Sequence, residues 1–68
     1  MNIVIHVNGS SRDVLSGTTV SGLLDKLNLP CQRVVVELNG EPLARRLYSE
    51  TPLEEGDRVE IVRPVAGG

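Results

Sequence analysis

Few residues in this chain could do chemistry, and those that stand out form its last stretch, Val65-Ala66-Gly67-Gly68. The side chains shrink along it until the final two positions lack a β-carbon. Such a backbone could thread a narrow channel and take up dihedral angles closed to other residues. The reactive group would be the free carboxylate of Gly68, with no side chain involved. A free α-carboxyl has a reference pKa of about 3.5, so at neutral pH it is an anion and a poor electrophile. It therefore needs activation. A separate ATP-using enzyme could convert it to an acyl adenylate, after which sulfide would give a thiocarboxylate and an amine an amide. Chance alone ends about one chain in two hundred in Gly-Gly, and termini fray unless something ties them down. The stretch counts only if the rest of the chain builds a platform for it and offers no rival.

The rivals are weak. His6 is the single histidine and falls in a strand-like run, and Cys31 is the single cysteine. No internal disulfide or paired-cysteine metal site can form, and nothing in the pattern brings the two together as a Cys-His pair. Glu54-Glu55 lies in a turn and reads as a solvated charge run. Gly40 and Gly56 belong to no phosphate-cradling pattern. The expectation is a chain with no catalytic residues, no metal and no bound cofactor, in which ATP is used by the activating enzyme.

Composition points the same way. Seven basic residues face nine acidic ones for a net charge of −2, and Arg45-Arg46 is the largest basic cluster, which disfavours nucleic acid and anionic membrane as partners. No run is long enough to span a bilayer, and Met1-Asn2-Ile3-Val4-Ile5-His6 lacks the charged start and long apolar run of a signal peptide, so a cytoplasmic location is expected. At 68 residues the chain makes one domain. With Tyr48 as its only aromatic, the core must be aliphatic.

The elements that would position the arm follow from pattern. Ile3, Ile5 and Val7 alternate with Val4 and His6 as a first strand, and Asn8-Gly9 favours a two-residue hairpin turn into Ser11 to Ser16. Thr18-Thr19 offers hydroxyl caps before Val20, Leu23, Leu24 and Leu27, the i, i+3, i+4, i+7 stripe of a helix that should end near Leu27 ahead of Asn28 and Pro30. Gly22 falls within this helix, where it costs about 1 kcal/mol relative to alanine. After a link from Cys31 to Arg33, Val34 to Leu38 reads as a strand and Asn39-Gly40 as a second hairpin turn. Glu41 to Tyr48 reads as a short strand or loop, and Ser49 to Asp57 as a turn or single helical turn. Arg58 to Val62 alternates as a last strand, and Pro64 ends it.

A hairpin, a crossing helix, a strand, a turn and a final strand laid beside the first make an α+β, β-grasp (ubiquitin-like) fold. Its mixed sheet has four to five strands, with the helix packed on one face and an extended C-terminal tail. The expected division is a domain over residues 1–63 and a flexible tail over 64–68. Strand alternation leaves Val4, His6, Val35 and Val62 on the open face as an apolar cluster rimmed by Glu37 and Glu60, a possible partner-docking face.

Taken together, several segments resemble the small sulfur carriers of thiamine biosynthesis called ThiS, over nearly the whole chain. They are Met1-Asn2-Ile3, Thr19-Val20 with Leu23-Leu24, Val36-Glu37-Leu38-Asn39-Gly40-Glu41, Arg45 and Tyr48, Leu53, Gly56-Asp57-Arg58-Val59-Glu60-Ile61-Val62 and Gly67-Gly68. Two positions depart from the family pattern: Ala44 stands where a proline is usual, and Ala66 where many members have a third glycine. The resemblance implies that an E1-like adenylyltransferase activates the Gly68 carboxylate and that a cysteine desulfurase is the sulfur source. The resulting thiocarboxylate would donate sulfur to thiazole synthase. The alternatives are the small subunit of molybdopterin synthase, a ubiquitin-like protein modifier and a β-grasp interaction module whose tail is incidental.

Overall fold

The computed structural model describes residues 1–64. Its elements run β1 (Asn2–Val7), β2 (Ser10–Leu15), α1 (Val20–Lys26), a 3₁₀ turn at Cys31–Arg33, β3 (Val35–Leu38), β4 (Glu41–Pro42), a second 3₁₀ segment at Arg45–Glu50 and β5 (Arg58–Val62). The strands form one sheet in the order β2-β1-β5-β3-β4. β5 runs parallel to β1 and antiparallel to β3, which makes the sheet mixed and places the last strand at its centre. This is the β-grasp arrangement.

Both asparagine-glycine pairs make the turns their chemistry favours. Asn8 and Gly9 have φ of 50° and 87°, and Asn39 and Gly40 have 52° and 86°, the left-handed angles that let a two-residue turn follow the twist of its strands. At the start of α1, the Thr19 hydroxyl accepts from the Gly22 N–H at 3.1 Å. Val20, Leu23 and Leu24 are fully buried, and the helix stops where Asn28 turns left-handed at φ 59°. The stripe joins Ile5, Val14, Val34, Val36, Tyr48, Leu53 and Val59 in one core cluster under the sheet. Two backbone bonds stitch the start of the helix to the segment before β5: Val20 N–H to Thr51 O at 2.9 Å and Leu53 N–H to Thr18 O at 2.8 Å.

The stretch between β3 and β5 differs from its sequence reading. Glu41 to Tyr48 is neither all strand nor all loop: two residues pair with β3, and a six-residue 3₁₀ segment then carries Tyr48 beneath the sheet. The helical turn expected after Ser49 therefore comes earlier and ends at Glu50. Its cause is the exposed edge of β3, which β4 covers only at Glu37 and Leu38. Upstream of β4 the Tyr48 hydroxyl takes over, accepting from the Val36 N–H at 3.2 Å and donating to the Val34 carbonyl at 3.5 Å, while the Leu43 N–H reaches the Val36 carbonyl at 2.9 Å. Val34 bonds to these side chains and has no strand partner, which explains why β3 begins one residue later than the β-branched run suggests. The link from Cys31 to Arg33 is itself a 3₁₀ turn.

Two stability measurements check these roles. Tyr48→Phe leaves the buried Val36 N–H without its acceptor and lowers unfolding free energy by about 1–3 kcal/mol, with faster amide exchange at Val36. A β-carbon at Gly22 would meet the Thr18 Cγ2 at 3.4 Å and the Thr19 Oγ1 at 3.5 Å, ordinary contacts. Gly22→Ala therefore raises unfolding free energy by about 0.5–1 kcal/mol in urea titration.

Candidate functional site

β5 delivers the chain to the site. It is gripped from both sides by its neighbouring strands and also by the side chains of the two hairpin asparagines. The Asn8 amide accepts from the Ile61 N–H at 2.7 Å and donates to the Ile61 carbonyl at 3.2 Å, continuing the β1 ladder one residue past the strand's end. On the other flank the Asn39 side chain accepts from the Arg58 N–H at 2.9 Å and donates to the Asp57 carboxylate at 3.1 Å. Asp57 in turn accepts from the Glu54 N–H at 2.8 Å, which closes the turn feeding the strand. Sequence reading assigned both asparagines to turn geometry and missed this second role. Their adjacency to glycine signals the turn and does not report where the amide points.

β5 ends at Val62, and Arg63 and Pro64 follow as exposed backbone outside any strand. Val65, Ala66, Gly67 and Gly68, the residues expected to form the working arm, lie outside the described residues. Beside the root of that arm is an open groove of about 690 Å³, lined by Arg33, Arg45 and Arg63 with Val34, Val35 and Pro64. Arg45 is oriented by two bonds, from Nε to the Cys31 carbonyl at 2.9 Å and from Nη2 to the Val34 carbonyl at 3.3 Å. It thereby ties the 3₁₀ turn at Cys31–Arg33 to the start of β3.

The open sheet face carries all four residues expected there, but the register divides them. Val35 and Val62 are direct cross-strand partners, 43% and 55% exposed. The next pair on the same face is Glu37 opposite Glu60, and beyond it Arg58 pairs with His6. Val4 lies further still, beside Asp13 of β2, with the exposed Leu15 two residues along from Asp13. Because Arg58 is level with His6, Val62 sits six residues beyond the level of Val4, about 20 Å at the rise of a strand. The single apolar cluster expected from alternation is thus two patches, with Glu37 and Glu60 between them and not at a rim. Alternation assigns a face; register assigns a height, which a sequence pattern does not carry.

His6 is exposed on this open face, whereas Cys31 is a free, half-buried thiol packed against the core cluster on the other side. Among the described residues no group of three or more His, Cys, Asp or Glu side chains is placed to hold a metal ion. No helix of the described residues is long and apolar enough to cross a membrane.

The ThiS family model matches residues 5–68. The chain belongs to the ThiS family. Over 65 residues it is 32% identical to the sulfur carrier protein ThiS of Thermus thermophilus, covering 96% of this chain and 100% of that protein. A crystal structure of the thiamine biosynthesis protein ThiS from Geobacter metallireducens superposes with a TM-score of 0.81 at 37% identity, covering 100% of both chains. The chain is also 38% identical over 64 residues to a thiazole synthase of Magnetococcus marinus, spanning 94% of this chain but 20% of that protein.

In this ThiS family member, the Arg45 and Tyr48 side chains hold the groove wall and the β3 edge, hydrogen-bonding roles that the sequence pattern did not assign to them. The facing carboxylates of Glu37 and Glu60 provide a direct check on the open face. Like charges directly opposite across strands are destabilising. Glu37→Lys should raise the unfolding free energy measured by urea titration by an amount of the order of 0.5 kcal/mol, a gain that shrinks as salt is added.

Proposed function

We propose that this protein is a sulfur carrier of thiamine biosynthesis, with the carboxylate of Gly68 as the group that bears the sulfur. An E1-like adenylyltransferase binds the folded body and takes the arm. A carboxylate oxygen of Gly68 attacks the α-phosphorus of ATP, forming an acyl adenylate as pyrophosphate leaves. Sulfur leaves a cysteine desulfurase as a persulfide and is brought to the hydrosulfide level by a thiol reductant, which departs as a disulfide. The hydrosulfide then attacks the acyl carbon and AMP leaves, giving the thiocarboxylate and a proton. The thiocarboxylate donates its sulfur to thiazole synthase during thiazole formation. In this scheme the β-grasp body is a handle and carries no catalytic group. Val65, Ala66 and Gly67 supply a slender approach through a channel.

The observation that carries this reading is that the family match runs through the last residue, so that it includes the Gly67-Gly68 pair together with the body. A second line of support comes from the thiazole synthases, of which a chain like this one makes up about a fifth. Joining donor and acceptor in one polypeptide turns their encounter into an intramolecular event at raised effective concentration, an arrangement that suits a carrier and its acceptor.

The test is intact-mass spectrometry after incubation with the adenylyltransferase, ATP and a sulfur source. The wild type gains the mass difference between one sulfur and one oxygen, whereas a ladder of conjugates would identify a protein modifier instead. Deletion of Gly68 leaves the circular dichroism spectrum unchanged and removes the mass gain. Adenylation of the shortened protein at the wild-type rate would show that the reactive end is elsewhere.

A further inference from the structure

We propose that the arginine-lined groove at the root of the arm docks carboxylates on the surface of the adenylyltransferase, so that the carrier is held by charge pairing while its arm is taken in. This rests on the carrier reading above and adds the surface that recognises the partner.

The groove is an exception to the charge of the molecule. The chain is net acidic at −2, yet three of its seven basic residues line this one depression, and no acidic side chain shares the lining among the described residues. Guanidinium groups present several N–H donors in a planar fork that matches a carboxylate, and they desolvate more easily than an ammonium group. Arg45 spends Nε and Nη2 on two carbonyl oxygens, which fixes its plane and leaves further N–H groups for a ligand. Arg33 and Arg63 are exposed on either side, one on the 3₁₀ turn and the other just past β5. Val34 and Val35 form part of the lining, and Val62 stands opposite Val35 across the ladder. An apolar patch beside a charged rim is how a protein interface is built.

Position selects a protein surface over a nucleotide. Four residues follow Pro64, and a chain of that length reaches at most about 14 Å. An adenylate forms at the far end of this reach, whereas the groove lies at the near end, where the rim of the receiving channel must come to rest against the carrier body.

The experiment measures ATP–pyrophosphate exchange by the adenylyltransferase as a function of carrier concentration. It compares the wild type, the double variant Arg33→Glu/Arg63→Glu and a control, Arg12→Glu/Lys26→Glu, which reverses the same number of charges elsewhere. Arg45 is left intact because it also holds the 3₁₀ turn, and circular dichroism checks that each variant is folded. The groove variant raises KM about tenfold or more while kcat stays within about twofold, and its KM depends less on salt than that of the wild type. The conservative pair Arg33→Lys/Arg63→Lys recovers part of the loss. A groove variant with the KM of the wild type, or a control with an equal loss, overturns the docking surface and leaves the carrier reading standing. Perturbation of the Arg33 and Arg63 side-chain resonances by ATP alone reassigns the groove to a nucleotide and also overturns it. A wild type that is not activated at all removes both.

Discussion

The structure depends on β5 being held at the centre of the sheet. A strand that arrives last in the chain and sits between the first and third strands closes two long-range ladders at once, with β1 on one side and β3 on the other. Hydrogen bonds from the Asn8 and Asn39 side chains extend that grip beyond the ladders themselves. Val59, the second residue of the strand, is fully buried, so the strand is anchored by packing as well as by backbone bonding. Everything proposed for the carboxyl-terminal end presupposes this anchorage, because the chain leaves the body from the end of β5.

The same placement organises the surface. At the root of the arm the body presents guanidinium groups and valines, and one ladder pair further along the open face it presents the facing carboxylates Glu37 and Glu60. An approaching protein therefore meets opposite charges on neighbouring parts of the same face, and a net charge of −2 conceals that alternation. Such a pattern favours one orientation of approach over others, since rotating a partner about the arm would set like charges together. On the carrier reading proposed above, orientation of the body is a separate requirement from access of the Gly68 carboxylate.

Much of this was legible in the sequence, for identifiable reasons. Asn8-Gly9 and Asn39-Gly40 mark turns because few other dipeptides accept two successive positive φ angles, and both turns form. The stripe of Val20, Leu23, Leu24 and Leu27 marks the helix because its spacing fits only that period, and its first three residues are buried while Leu27 is partly so. What stayed hidden depends on partners distant in sequence. The Arg45–Glu50 segment has no repeating apolar stripe, and its conformation follows from a tyrosine hydroxyl meeting a backbone amide 12 residues away. The separation of Val4 from Val62 follows from how β1 and β5 slide past each other, which alternation within either strand does not encode. The groove arginines are spread over residues 33 to 63 and meet only through the fold. The residues proposed to carry the chemistry, Val65 to Gly68, were singled out by composition alone and lie beyond the described part of the molecule.

The anchorage of β5 also has a mechanical consequence. Tension applied along the arm is transmitted along the axis of a strand flanked on both sides, and it strains the bonds of the two ladders together in shear, unlike a peeling load that would break them one after another. An edge strand such as β2 or β4, bonded on one side only, would offer no such resistance. On the carrier reading proposed above, a body built in this way would stay folded while its carboxyl-terminal end is pulled.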